Sequence, residues 1–382
     1  MDVDCWRIKW YAIGMKLHNP FLVRGYCGPE YFCDREKETA QLVDSLVNEG
    51  DVTLIAPRRY GKTGLIHNAF RVLPKEYARV YLDIYATRCL ADFAREFASA
   101  VLGTLETRLE KAARGLAAFF KSCRPTIVPT EQGLPKFSFD VVPAVAESTL
   151  KETFDYLTKR ERRLVIAIDE FQQVLEYPEK GTEALLRSLM QKLPWVRFVF
   201  AGSRQHIMRE MFLSPKHPFY QSTDLLSLRP IDRDVYCRFA KRFFAARRKP
   251  FSEVAFKSIY DRFDGVTWYV QMVLRRLWAE DAGIPDVAAV DAAVEDIVGT
   301  RTFEYGDLFN SRSEAERTLL KATAKDGPVA APLSGDFIAR NGLRTASTVA
   351  SALKRLLRDD LLYRTERGYV VYDRFFGVWL RG

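Results

Sequence analysis

Ala56-Pro57-Arg58-Arg59-Tyr60-Gly61-Lys62-Thr63 is the stretch on which the fold turns. It follows the apolar run Val52-Thr53-Leu54-Ile55 and leads through Gly64-Leu65-Ile66 into a helical pattern. The pattern GxxxxGK[ST] is met at every position but the first, where Ala56 stands for the usual glycine. Its physics needs a strand that ends in a loop and turns into a helix, so that backbone N–H groups and the helix N-terminus face phosphates. Lys62 would bring positive charge to the β- and γ-phosphates, and the Thr63 hydroxyl can ligate Mg2+. Gly61 lets the backbone approach where a Cβ would clash. The first position mainly needs a small side chain, so Ala56 is a tolerable departure. A GKT tripeptide alone arises by chance; its place between strand and helix gives it weight.

Three further apolar runs resemble the first in length and in β-branched content: residues 79–84 (RVYLDI), 164–168 (LVIAI) and 197–202 (RFVFAG). Continuous apolar strands separated by helical stretches are the mark of a parallel sheet covered on both faces. A fifth candidate, DLLSL at 224–228, ends just before Pro230. The third run ends in Asp169-Glu170. Asp169 is suited to hold Mg2+ through water, and Glu170 to orient or deprotonate an attacking water. An acidic pair at a strand end also serves as an ordinary helix cap. Glu170 matters more for the choice of function, because a binding-only switch can dispense with it. The fourth run leads to Ser203. If its strand lies between the other two, the hydroxyl sits beside the γ-phosphate; otherwise it is a polar cap on the next helix.

Around this core the chain of 382 residues is long enough for two or three packed units. Hydrophobic residues make up 48% and charged residues 28%, a globular composition rather than a disordered one. No apolar run approaches the roughly 20 residues that span a bilayer, and no secretory signal is legible, so the expected setting is cytoplasmic with no membrane partner. Six cysteines without CxxC spacing indicate neither zinc nor a disulfide framework. A net charge of +9 permits contact with a polyanion without demanding it.

Residues 1–16 read as an N-terminal extension, with Met15 an alternative start. Residues 17–231 form the P-loop unit, in which Asp34 can cap a first helix. Segment 115–143 interrupts it with prolines, glycines and the alternating FSFDV, and is expected to be a surface insertion, a small hairpin. Residues 232–300 are strongly helical. Residues 301–382 run helix, helix, hairpin, the order of a winged helix.

FCDREKETAQL (32–42), the APRRYGKT loop, IDEFQQV (168–174) and FAGSRQ (200–205) together resemble the archaeal-type ATPase family of P-loop proteins, close to the AAA+ and signal-transduction ATPases. The resemblance covers roughly residues 17–280. It implies an α/β fold with an AAA+-like P-loop parallel sheet covered by helices, then a helical lid and a C-terminal winged-helix domain. It also implies ATP with Mg2+. Phe32, Asp34, Arg35 and Glu38 match the family's opening motif, which packs near the adenine, and Pro230 matches a proline near the base. Lys62, Thr63, Asp169 and Glu170 match the Walker positions, with Pro57, Arg58, Arg59, Tyr60, Gly61 and Gly64 completing the loop; Ser203 matches the sensor. Gln221 stands where relatives often carry a Gly-Arg pair. Arg204 and Arg209 are candidate arginine fingers, and Arg275 and Arg276 candidate second sensors.

Residues 311–382 carry thirteen Lys or Arg against eight Asp or Glu. The helix beginning near Ser347 would be the recognition helix, with Arg344 before it, Lys354, Arg355 and Arg358 along it, and Arg364 and Arg367 flanking the hairpin tip. Double-stranded DNA is one expected partner. A protein partner, or a winged helix packed as a structural clamp with its aromatic tail as core, is the other. Two functions stay open: ATP hydrolysis driving a regulatory or DNA-associated switch, and a nucleotide-holding module without turnover whose winged helix binds DNA or protein.

Overall fold

The computed structural model describes residues 17–106, 120–123, 125–129, 135–280 and 285–382. The expected N-terminal extension with Met15 lies outside the described residues, as does part of the expected insertion at 115–143. The chain divides into two compact units, one built from Arg24–Ile231 and one from His18–Val23 with Asp232–Gly382.

In the first unit the strands are β1 Val52–Ile55, β2 Ala78–Asp83, a hairpin of β3 Pro125–Pro129 and β4 Pro135–Phe139, β5 Leu164–Asp169, β6 Val196–Gly202 and β7 Asp224–Ser227. Five of them form a parallel sheet in the order β2-β5-β6-β1-β7. The five apolar runs of the sequence are these five strands. Side-chain alternation divides the sheet into two faces. Val165 and Ala167 of β5 and Val199 and Ala201 of β6 face the cluster around α1 Glu36–Val47 and α2 Lys62–Val72. Ile166, Ile168, Phe198 and Phe200 face the larger cluster of α3 Leu90–Leu105, α4 Ala146–Arg160, α5 Thr182–Met190 and α6 Gln205–Leu213. Small residues on one face let the phosphate-loop helix lie close to the sheet. Large ones on the other fill a deeper layer, each fully buried Phe contributing about 1.5–3 kcal/mol.

Two expectations change. Asp34 does not cap α1: it lies at φ 58°, the cap position belongs to Arg35 at φ 75°, and neither side chain caps. This left-handed pair carries the Arg35 guanidinium inward, where it is 4% exposed and donates to Glu38 and to the Arg229 carbonyl, both at 2.6 Å. The insertion is not purely a surface feature. A hairpin is present, but the alternation of FSFDV puts Phe137 and Phe139 on one face, and both are buried in the larger cluster.

The second unit contains α7 Arg233–Ala246, α8 Glu253–Arg262, α9 Thr267–Ala279, α10 Val287–Gly299, α11 Thr302–Asn310, α12 Glu314–Asp326, α13 Gly335–Arg340, α14 Ala346–Arg358, the hairpin β8 Leu362–Thr365 with β9 Gly368–Val371, and α15 Arg374–Arg381. Side-chain caps mark the starts: Asp232 before α7, Ser252 before α8, Asp286 before α10 and a full Ser313–Glu316 capping box before α12. The lid helices and the winged helix share one core. Phe263 and Tyr269 pack on Phe375 with ring centroids 5.1 and 5.2 Å apart, and Asp264 pairs with Arg367 at 2.7 Å and Arg374 at 2.8 Å. Residues His18–Val23, expected in the P-loop unit, belong here instead. Phe21 is fully buried against Phe243, Phe244 and Trp278, and the Trp278 indole donates to the His18 carbonyl at 2.9 Å. Among the described residues no helix is long and apolar enough to cross a membrane.

Candidate active site

β1 delivers the loop. Ala56 is fully buried, its methyl part of the smaller apolar cluster, so the departure at the first position is absorbed as packing. Pro57, Arg58, Arg59 and Tyr60 are half-buried, and Tyr60 leans on that same cluster. Arg59 at φ 73° and Gly61 at φ 90° put the backbone in the left-handed region before α2 begins at Lys62. A Cβ built on Gly61 would meet nothing within 4 Å. The glycine is therefore required by its φ, and the space it faces is open to a ligand. At Gly64 the constraint is steric, since an added Cβ would lie 3.1 Å from the Phe32 ring.

Lys62 is 6% exposed, and its ammonium donates to the Ala56 carbonyl at 3.1 Å, folding back over the loop. Burial pulls its pKa below the usual lysine value, while Asp169 and Glu170 act against that pull. One helical position on, the Thr63 hydroxyl donates to Asp169 Oδ2 at 2.9 Å. The same oxygen accepts from Tyr81 at 2.9 Å, and Asp169 Oδ1 accepts from the Glu170 N–H at 3.0 Å. Three donors thus fix a carboxylate that is 4% exposed.

Glu170, at φ 56°, occupies the cap position of the turn Phe171–Glu176 but makes no cap hydrogen bond. Its Oε2 accepts instead from Ser203 Oγ at 2.7 Å and Gln172 Nε2 at 2.5 Å. Burial disfavours its charge, yet Lys62, Ser203, Gln172 and Arg58 outweigh that and hold the carboxyl below its ordinary range. Ser203 follows β6, which pairs with β1 on one side and β5 on the other, so its strand lies between the other two. Arg58 Nε donates to Ser203 Oγ at 3.3 Å, with its guanidinium 5.3 Å from the exposed Tyr85 ring.

Thus the structure brings Lys62, Thr63, Asp169, Glu170, Ser203 and Arg58 into one hydrogen-bonded cluster. Phe32 lies against the first turn of α2, edge-on to Tyr26 at 5.7 Å. Arg35 is a buried tie between α1 and the chain leading to the exposed Pro230, with its guanidinium spent on protein groups. Arg204 pairs with Glu176 at 2.8 Å, and Arg276 with Asp296 at 3.0 Å and Glu280 at 3.3 Å. Sequence reasoning missed Tyr81 and Asp83. Burial, followed by repulsion from Asp169 and Glu170, raises the Asp83 pKa despite its hydrogen bond from the Tyr85 N–H. The available signal was register: Asp83 ends β2 opposite Asp169, and Tyr81 stands two residues back on the same face. Gln172 lay unremarked inside IDEFQQV.

The Thr63 hydroxyl and the Asp169 carboxylate, joined by their hydrogen bond, are the pair expected to hold a metal. Among the described residues no three His, Cys, Asp or Glu side chains group to hold an ion by themselves. That set suits Mg2+, which keeps waters and takes its remaining oxygens from substrate phosphates.

A parallel sheet whose inner strand runs into a phosphate loop, with an acid-tipped strand two places away and a third strand between them, defines a P-loop ATPase fold. Residues 32–273 match the model of an ATPase domain predominantly from Archaea, and residues 303–382 that of a probable winged helix domain. The protein belongs to that archaeal ATPase family, and nucleotide binding follows from its membership. A Walker-type ATPase of Pyrococcus abyssi shares the fold at 20% identity with a TM-score of 0.64, over 95% of this chain and 100% of that one. The ORC2 protein of Aeropyrum pernix, solved in ADPNP–ADP complexes, does so at 15% identity with a TM-score of 0.54, over 91% of each chain. No curated protein matches the chain.

Proposed function

We propose that the protein is a Mg2+-dependent ATPase whose turnover drives a conformational switch in a DNA-associated process. The supporting observation is the join between the loop and the acid-tipped strand, where Thr63 donates to Asp169 and Asp169 in turn holds the Glu170 backbone. Lys62 would exchange the Ala56 carbonyl for a phosphate oxygen, assisted by loop N–H groups at the start of α2. Thr63 and Asp169 would hold Mg2+, which supplies charge neutralisation on the β- and γ-phosphates. Glu170, kept ionised by its neighbours, would accept a proton from the water attacking the γ-phosphorus. The bond to the ADP oxygen breaks, and its electron pair leaves with ADP. Ser203, released from Glu170, would donate to the γ-phosphate. The lid and winged helix share one core, which suits them to respond as a body, and the cationic excess of residues 311–382 favours DNA as the partner.

Glu170→Gln should bind ATP with near-normal affinity and lose turnover by about a hundredfold or more, as removal of a general base does. Full activity in that variant would sink the assignment. A second reading draws on the double hold of Ser203 and Gln172 on Glu170: a module that retains nucleotide without turning it over. Nucleotide co-purifying with a wild-type protein that shows no steady-state turnover would select it.

A further inference from the structure

The cations of the winged helix are unequally placed to meet an anion. Most of those expected on or before the recognition helix already hold a carboxylate: Arg344 pairs with Glu314 at 2.8 Å, Arg355 with Glu316 at 2.5 Å and Arg358 with Asp359 at 2.9 Å. At the hairpin, Arg367 is held by Asp264 at 2.7 Å, while Arg364 is exposed and, among the described residues, stands alone at the edge of the sheet, over the Tyr369 ring and away from the cleft beside α12. Lys354 is exposed on α14. Helix α12 differs. On α12, Arg317, Lys321 and Lys325 stand four residues apart on one face, and among the described residues none of the three forms an ion pair. They line a cleft of about 780 Å3 that also includes Phe309 of α11 and Leu380 and Arg381 of α15. Glu314 at its edge is engaged with Arg344. Arg381 donates to the Ala324 carbonyl at 3.0 Å, and burial, with Arg262 and Arg374 nearby, pulls its pKa below the usual arginine value.

We propose that this cleft seats the phosphate backbone of duplex DNA, with Arg317, Lys321 and Lys325 as its contacts. This rests on the DNA-associated part of the function proposed above and is independent of turnover. Helical rise spaces the three cations by about 6 Å per step, so the row covers about 12 Å. They do not converge on one phosphate, which selects a polymer over a free ion or nucleotide. A site for single strands needs an aromatic face on which bases stack. Here the Phe309 ring is covered, by Lys321 at 5.1 Å and Arg317 at 5.9 Å, with Trp379 packed edgewise at 5.8 Å. A rigid duplex backbone needs no such platform. Backbone contacts carry no sequence information, so binding is indifferent to sequence.

The test is fluorescence anisotropy of the full chain with a labelled duplex, its single strand and a poly-glutamate competitor, at several salt concentrations, with ATP affinity measured on the same samples. Lys321→Ala combined with Lys325→Ala is expected to weaken duplex binding roughly tenfold at low salt and to reduce the salt slope by about 2. Lys354→Ala is expected to leave both nearly unchanged, as both variants leave ATP affinity. Two exposed lysines are removed, so the fold is not at risk. Loss through Lys354 but not through the α12 pair would overturn the proposal. So would tighter binding of the single strand, displacement by poly-glutamate at equal charge, or no duplex binding by a chain that still binds ATP. Loss of ATP binding in the wild-type chain would instead defeat the nucleotide reading.

Discussion

With its carboxylate bonded to Ser203 and Gln172 and its charge supported by Lys62 and Arg58, Glu170 stays ionised to lower pH than an ordinary glutamate. A depressed pKa means that the base form persists as pH falls, and that any stability it brings is present above the ordinary carboxylate range and lost on descent through the lowered pKa. The acid limb of kcat/KM, which reports the free enzyme, should therefore lie below the usual glutamate value. Ser203→Ala removes one of the stabilising donors, so its acid limb should move up in pH. A limb that stays put would show that the serine does not act on Glu170. Of this cluster, Lys62, Thr63, Asp169, Glu170 and Ser203 were legible in the sequence, because each closes or follows a recognisable strand or loop. Arg58 was legible as part of the loop, but its aim at Ser203 depends on the left-handed turn at Arg59 that no pattern announces.

At the scale of the elements, the five strands could be read from apolar runs bounded by turns, since burial on both faces leaves few polar positions. The hairpin at 125–139 was read as present but misplaced at the surface. Alternation tells which residues share a face, not which neighbour covers it, and α3 supplied the cover. The helix start at Glu36 was missed because Asp34 resembles a cap, while the buried pull on Arg35 comes from Arg229, far along the chain. Asp51, at the mouth of β1, offers a measurable consequence. Its carboxylate accepts from the Phe198 N–H at 2.8 Å and its carbonyl from the Asp224 N–H at 2.8 Å, tying β6 and β7 to β1. Burial raises its pKa to about 6. Between about pH 4 and 6 the folded chain holds a proton that the unfolded chain has released, so stability falls as pH rises through that window. Asp51→Asn keeps the acceptor and removes the buried charge. It should stabilise the protein by about 1–3 kcal/mol at pH 7 in urea denaturation, the gap closing toward pH 4. A less stable variant at pH 7 would refute this account of Asp51.

At the scale of the whole molecule, the division into two units was only partly visible. The order of helix, helix and hairpin identified the winged helix, but nothing local could show that His18–Val23 leaves its sequence neighbours for a core built from residues after Asp232. Phe21 is the test of that arrangement. Phe21→Ala removes a ring packed on Phe243, Phe244 and Trp278, and should cost about 3–5 kcal/mol in the second unit. The loss should appear as an earlier unfolding step reported by Trp278 fluorescence, with ATP affinity retained in the first unit. Loss of ATP binding in step with that transition would show that the two units do not fold separately.

That crossing has a consequence for how the chain is made. During synthesis Phe21 leaves the ribosome more than two hundred residues ahead of Phe243 and Trp278, the rings that bury it. The sheet, whose strands all lie between, can close while this aromatic stub remains uncovered. A nascent chain stalled near residue 231 would carry a folded nucleotide unit with an apolar tail at its leading end, a target for chaperones until the later helices arrive. Producing the second unit alone would require grafting residues 18–23 back onto it, in cis or as a peptide.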